Sequence, residues 1–124
     1  MFARRCGVHN FRKLAVWSRS RVFGREVFIL TASVVRPEYR LVTSQLRRSA
    51  LGISANIAEG CSKGSRAETI RYLEIACGSV GESEHHLLVA GELAILPETK
   101  CATLADEASQ LRRMLRALIE RLPP

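Results

Sequence analysis

Leu104, Ala108, Leu111, Leu115, Leu118 and Leu122 recur at spacings of four, three, four, three and four residues. A helix, with 3.6 residues per turn, places all of these on one side, whereas a strand alternates every second residue. Such a stripe leaves water only by packing against other helices, and that commits the chain to a helical assembly. Three more stretches carry the same period. Leu14, Trp17, Phe23, Val27, Leu30 and Val34 mark a first helix over about 11–35, and Leu46, Ala50, Ile53 and Ile57 mark a second. The third has a seam of Ile70, Leu73, Cys77, Val80, Glu84, Leu87, Gly91 and Ala94, with a glutamate in its middle.

Local chemistry sets the boundaries. Pro37 stops the first helix, because the residue before a proline is pushed out of the α region. RPEYRLVT then reads as an extended connection, with Thr43 or Ser44 capping the second helix and Gly60 ending it in a left-handed turn. Ser65-Arg66-Ala67-Glu68 has the Ser-x-x-Glu form of a capping box. From there the third helix runs to about Leu96, where Pro97 breaks it and opens the fourth. The expectation is an all-α, antiparallel up-down-up-down four-helix bundle. Residues 1–10 form a flexible basic arm and 11–124 one domain, with the second helix clearly shorter than the third.

No stretch approaches the ~18 uninterrupted apolar residues of a membrane span. Cys6, Cys61, Cys77 and Cys101 form no CxxC pair, and no histidine stands at zinc-finger spacing from them. Free thiols in the cytoplasm are therefore expected. Glu82-Ser83-Glu84-His85 contains the Glu-x-x-His found in carboxylate-bridged metal bundles. That chemistry needs a second copy, and the other histidines, His9 and His86, do not make one. With no phosphate loop and no nucleophile elbow, neither enzyme, cofactor nor small-molecule substrate is indicated.

Charge is the informative property. Net charge is +7, and residues 1–66 carry 13 basic against three acidic side chains, while residues 67–124 carry six against nine. One positive face is implied, able to attract phosphates or an acidic partner. Arg12, Lys13, Arg19, Arg47 and Arg48 are the candidate phosphate contacts; Trp17 and Tyr39 are the stacking candidates, though Trp17 falls in the apolar stripe. A second group reads as helix or subunit contacts: Gly52, Ala55, Asn56 and Glu59 on the second helix, Gly78, Gly81 and Glu84 on the third. Gly52 costs ~1 kcal/mol against alanine within a helix, so a close approach should offset it. Glu59 opposes the helix dipole and calls for a cation such as Arg48, Lys63 or Arg66, and Glu84 for an ion pair.

FRKLAVW at 11–17, TSQLRRSALGISANIAEG at 43–60 and RYLEIACGSVGESE at 71–84 together resemble the four-helix-bundle proteins first noticed as reading frames inside 23S rRNA intervening sequences. The likeness spans about residues 11–120 in order. One departure is Arg36-Pro37, where the family usually has Phe-Pro. The resemblance implies a homopentameric bundle assembly. It also implies a structural relative in the accessory protein of diversity-generating retroelements, which works with a reverse transcriptase and binds nucleic acid. Two readings of function follow. One is a non-catalytic basic adaptor associated with RNA or DNA. The other is a homo-oligomeric scaffold for a protein partner, its basic and acidic halves pairing between subunits.

Overall fold

The computed structural model describes residues 10–123, so the basic arm, apart from Asn10, lies outside the described residues. Four helices follow one another: α1 (Ala15–Thr31), α2 (Arg40–Cys61), α3 (Arg66–Glu92) and α4 (Glu98–Arg121). Each packs on its sequence neighbours, α1 closes the circuit against α4, and the backbones of the diagonal pairs stand farther apart. This is an antiparallel up-down-up-down bundle. Contact is most extensive between α2 and α3 and thinnest between α1 and α4. Phe23, Leu46, Ile53, Leu73, Leu87 and Leu111 are fully buried at its centre. Each such side chain contributes about 1.5–3 kcal/mol relative to exposure.

The helix starts and stops differ from expectation in instructive places. A separate 3-10 turn, Phe11–Lys13, precedes α1; the Asn10 side chain accepts from Arg12 N at 3.1 Å, and Leu14 is extended between the two. At the far end α1 stops at Thr31 rather than near Val35. The connection at 36–43 is not extended. Pro37–Tyr39 makes a 3-10 turn that runs straight into α2 at Arg40. Thr43 and Ser44 therefore lie inside the helix and do not cap it. Their hydroxyls donate back to carbonyls one turn earlier, Thr43 to Tyr39 and Arg40, Ser44 to Leu41. Because α2 begins early, its 22 residues come closer to the 27 of α3 than expected.

Gly60 is not a left-handed stop either, since α2 continues through it to Cys61. Its role is closeness. A Cβ there would lie 3.0 Å from Tyr72 Cβ and 3.2 Å from the Thr69 carbonyl, and the Thr69 hydroxyl donates to the Gly60 carbonyl at 3.0 Å. Glycine thus lets the first turns of α3 fold back against the end of α2. Ser65 does cap α3, its Oγ accepting from Glu68 N at 3.2 Å. The other end of α3 closes at Ala94, which takes a left-handed φ of 56°. Ile95 N donates to Ala90 O at 2.9 Å and Ala94 N to Gly91 O at 3.1 Å, the paired bonds of a Schellman motif.

The buried stripe of α3 is rotated by one residue at several levels relative to the seam read from sequence. Thr69, Ser83 and Ala90 are buried, while Ile70, Glu84 and Gly91 stand at the shoulder. A polar pair explains one of these levels. The Ser83 hydroxyl lies 2.9 Å from the Ser49 hydroxyl of α2 inside the α2–α3 interface, with the Ser79 carbonyl also in reach.

Candidate nucleic-acid interface

The early start of α2 places Arg40, Ser44, Arg47 and Leu51 at spacings of four, three and four, hence on one helical face. That face looks across to the end of α1. With Phe28, Arg36 and Arg48 it lines a groove of about 520 Å³. The floor is apolar: Phe28 is 49% exposed and Leu51 48%. Gly24 lets the two helices approach here, since a Cβ on it would stand 3.3 Å from Leu51 Cδ2 and 3.4 Å from the Ala50 carbonyl. The rim carries four guanidinium groups.

Arg47 is anchored within the groove. Its Nε donates to the Thr31 hydroxyl at 2.6 Å, and its guanidinium sits over the Phe28 ring, 4.6 Å from the centroid. Arg36 lies over the Tyr39 ring at 5.1 Å and pairs with Glu38. Arg40 and Arg48 have no carboxylate partner among the described residues, and no carboxylate lines the groove.

The phosphate candidates read from the sequence do not form one patch. Arg47 and Arg48 belong to the groove. Arg19 faces the other way and is bound to α4: it bonds Glu107 at 2.8 Å, Gln110 at 2.9 Å and the Met114 sulfur at 3.5 Å. Arg12 and Lys13 are exposed in the 3-10 turn before α1, with Arg12 over the Phe11 ring at 4.8 Å. Phe28 meets Arg47, and Arg12 precedes Phe28 by 16 residues. The turn stands before Ala15, where α1 begins, and Phe28 lies 13 residues farther on, ~20 Å along the helix. Trp17 packs edge-on against Phe11 at 5.0 Å, within the partly buried margin of the core. Arg36 and Arg40 were missed, because an extended 36–43 segment hides the helical register that brings them beside Arg47.

The expected contact residues also separate. A Cβ at Gly52 would meet Ser79 Oγ at 3.6 Å, an ordinary distance, and at Gly78 or Gly81 it would meet nothing within 4 Å. Within the chain these glycines mark no tight approach; Gly24 and Gly60 do. Ala55 is exposed, and Asn56 donates to the Gly52 carbonyl at 2.8 Å. Glu59 pairs with Lys63 at 3.1 Å, and this hydrogen bond raises the lysine's pKa above its ordinary value. Glu84 pairs with Arg112 of α4 at 2.9 Å, and Glu82 stands 3.5 Å from His86 rather than bridging to His85. Glu74 similarly holds Arg116 at 2.9 Å. Within the second half Glu68, Glu74 and Glu84 pair with Arg71, Arg116 and Arg112, while Glu107 is held by Arg19 of α1.

Cys61, Cys77 and Cys101 are buried, and Cys6 lies outside the described residues. Burial pushes the Cys77 and Cys101 thiols above their ordinary range. Among the described residues no helix is long and apolar enough to cross a membrane, and no three His, Cys, Asp or Glu side chains cluster as a metal site would require.

These features define a small antiparallel four-helix-bundle protein with an arginine-rimmed groove on one side. The model of the 23S rRNA-intervening sequence protein family matches residues 12–117, and the chain belongs to that family. Among solved structures it is similar to a protein of unknown function from the S23 ribosomal protein family of Bacteroides thetaiotaomicron. The TM-score is 0.79 at 24% identity, over 85% of this chain and 98% of that one. That likeness concerns the fold. No curated protein matches the chain.

Proposed function

We propose that this protein is a non-catalytic adaptor that associates with nucleic acid by holding phosphates in the α1–α2 groove. One observation carries the reading: Arg40, Arg47 and Arg48, none with a carboxylate partner among the described residues, line one groove together with Arg36, which Glu38 pairs. Glu38 offsets Arg36, but Arg40, Arg47 and Arg48 repel one another unless a further anion sits among them, and a phosphodiester chain supplies anions in series. Pairing with acidic residues of a second subunit is the competing use for these arginines. Glu59 and Glu84, two of the carboxylates suited to that, are already taken by Lys63 and Arg112. Family resemblance supports assembly as a homopentamer, which would repeat the groove and turn weak single-site contacts into avidity on a long polymer.

The test is an electrophoretic shift of RNA and of DNA by the wild-type protein and by an Arg40→Ala, Arg48→Ala variant at low salt. Retardation by the wild type and strong loss in the variant supports the reading. An oligomer that retards neither polymer leaves the scaffold. Exposed apolar residues at the α1–α2 connection, Val35 at 78% and Leu41 at 71%, favour that second reading as a surface for another protein chain.

A further inference from the structure

Arginine alone does not describe the groove; its floor matters as much. Phe28 and Leu51 leave about half of their surface open there, and the Arg47 guanidinium is held over the Phe28 ring with its Nε on Thr31. Resting on the phosphate reading above, we infer that the groove takes a single strand with unpaired bases, not a duplex.

A duplex presents phosphate and sugar to a side groove and keeps its base faces stacked inside. The phosphates would meet the arginines, yet the apolar floor would find no apolar partner. A single strand offers both surfaces at once, because every unpaired base has a flat π face beside its phosphate. Aromatic rings and guanidinium planes are the two side-chain surfaces on which such bases stack. Arg47 covers one part of the Phe28 ring, and the half of Phe28 that stays exposed, together with the guanidinium beside it, is what a base can meet. The dimensions agree. About 520 Å³ lies within the ~300–1,000 Å³ of pockets that enclose small organic groups. Arg40 and Arg47 are seven residues apart on one face of α2, ~10 Å along the axis, so cations flank the floor along the groove. An acidic peptide would satisfy the arginines but bring no comparable flat face to the ring.

The experiment measures fluorescence anisotropy of three labelled polymers of equal length with the full chain. These are a 30-mer of thymidylate, a 30-mer of abasic sites with the same phosphates, and a 30-base-pair duplex. Thymidylate is expected to bind about tenfold more tightly than the abasic strand, the size of one stacked base. It is also expected to bind more tightly than the duplex at every salt concentration. Phe28→Ala should remove the base-dependent gain and leave the salt slope of the abasic strand unchanged. Phe28→Leu keeps the apolar bulk and should lose most of the gain while melting like the wild type. Equal binding of thymidylate and abasic strands would overturn the inference and leave the phosphate reading standing, as would preference for the duplex. Absence of binding to all three polymers would overturn both. Displacement of thymidylate by poly-glutamate at equal potency per charge would overturn the inference in favour of an acidic protein partner.

Discussion

The Nε of Arg47 in α2 donates to the Thr31 hydroxyl at the end of α1, 2.6 Å away, and Thr31 is fully buried. That hydroxyl also donates into α1, to the Val27 carbonyl at 2.9 Å. A core residue therefore fixes the position of a groove cation, so stability and binding are linked at this point. Thr31→Val should lower stability by about 1 kcal/mol, the worth of one internal hydrogen bond. It should also weaken binding of a single-stranded polymer severalfold while the salt slope changes little, since the charge remains. Thermal melts and anisotropy titrations of the same variant check both halves.

Ala94 holds a left-handed backbone that glycine adopts without strain. Ala94→Gly should therefore stabilise the protein by about 1 kcal/mol, opposite to the usual effect of adding glycine. A urea midpoint that falls would contradict the Schellman closure of α3.

Glycines provide a sharper internal comparison. Gly60→Ala places a methyl 3.0 Å from Tyr72 Cβ and 3.2 Å from a backbone carbonyl, and should destabilise by about 1–3 kcal/mol. Gly52→Ala meets only ordinary contacts and gains helix propensity, so it should be neutral or stabilising by up to ~1 kcal/mol. Denaturant midpoints of the two variants separate these outcomes. If Gly52→Ala instead disrupts assembly in sedimentation, another subunit covers that face.

The Cys77 and Cys101 thiols are raised chiefly by burial, which disfavours the thiolate. A raised folded pKa means that the unfolded chain loses these protons first. Stability is then fully present below the ordinary thiol pKa of about 8.5 and declines as pH rises through the raised values. Urea midpoints measured from neutral pH to about pH 10 should fall across the alkaline part of that range. Both thiols should also label slowly with a disulfide reagent until the protein unfolds.

Much of the fold was legible because periodicity and capping are local. The heptad seam of α4 and the Ser65 cap of α3 rest on spacings that tertiary contacts do not need to arbitrate. The α1–α2 connection was not legible in the same way. Thr43 and Ser44 suit a cap equally well as a back-bonded helix interior, and only the turn at Pro37–Tyr39 decides between them. That one choice of register hid Arg36 and Arg40 from the candidate site. Likewise a glycine's spacing does not tell which neighbour it meets. Gly52 looked like the close contact, whereas Gly24 and Gly60 make it. Arg19 illustrates the remaining difficulty, since only the packing of α1 on α4 shows that Glu107 neutralises it.

The salt dependence of binding tests the central claim most directly. If arginines of the α1–α2 groove hold the phosphates of a single strand, the logarithm of affinity falls linearly with the logarithm of salt. Each phosphate-contacting cation adds about 0.7 to the slope. The Arg40→Ala, Arg48→Ala variant, still folded and in its wild-type oligomeric state, should show a slope shallower by about 1.4. Arg12→Ala, Lys13→Ala, in the 3-10 turn before the opposite end of α1, should leave the slope nearer the wild-type value. A slope unchanged by the groove variant, or no binding of RNA or DNA by the intact oligomer at low salt, would contradict the account.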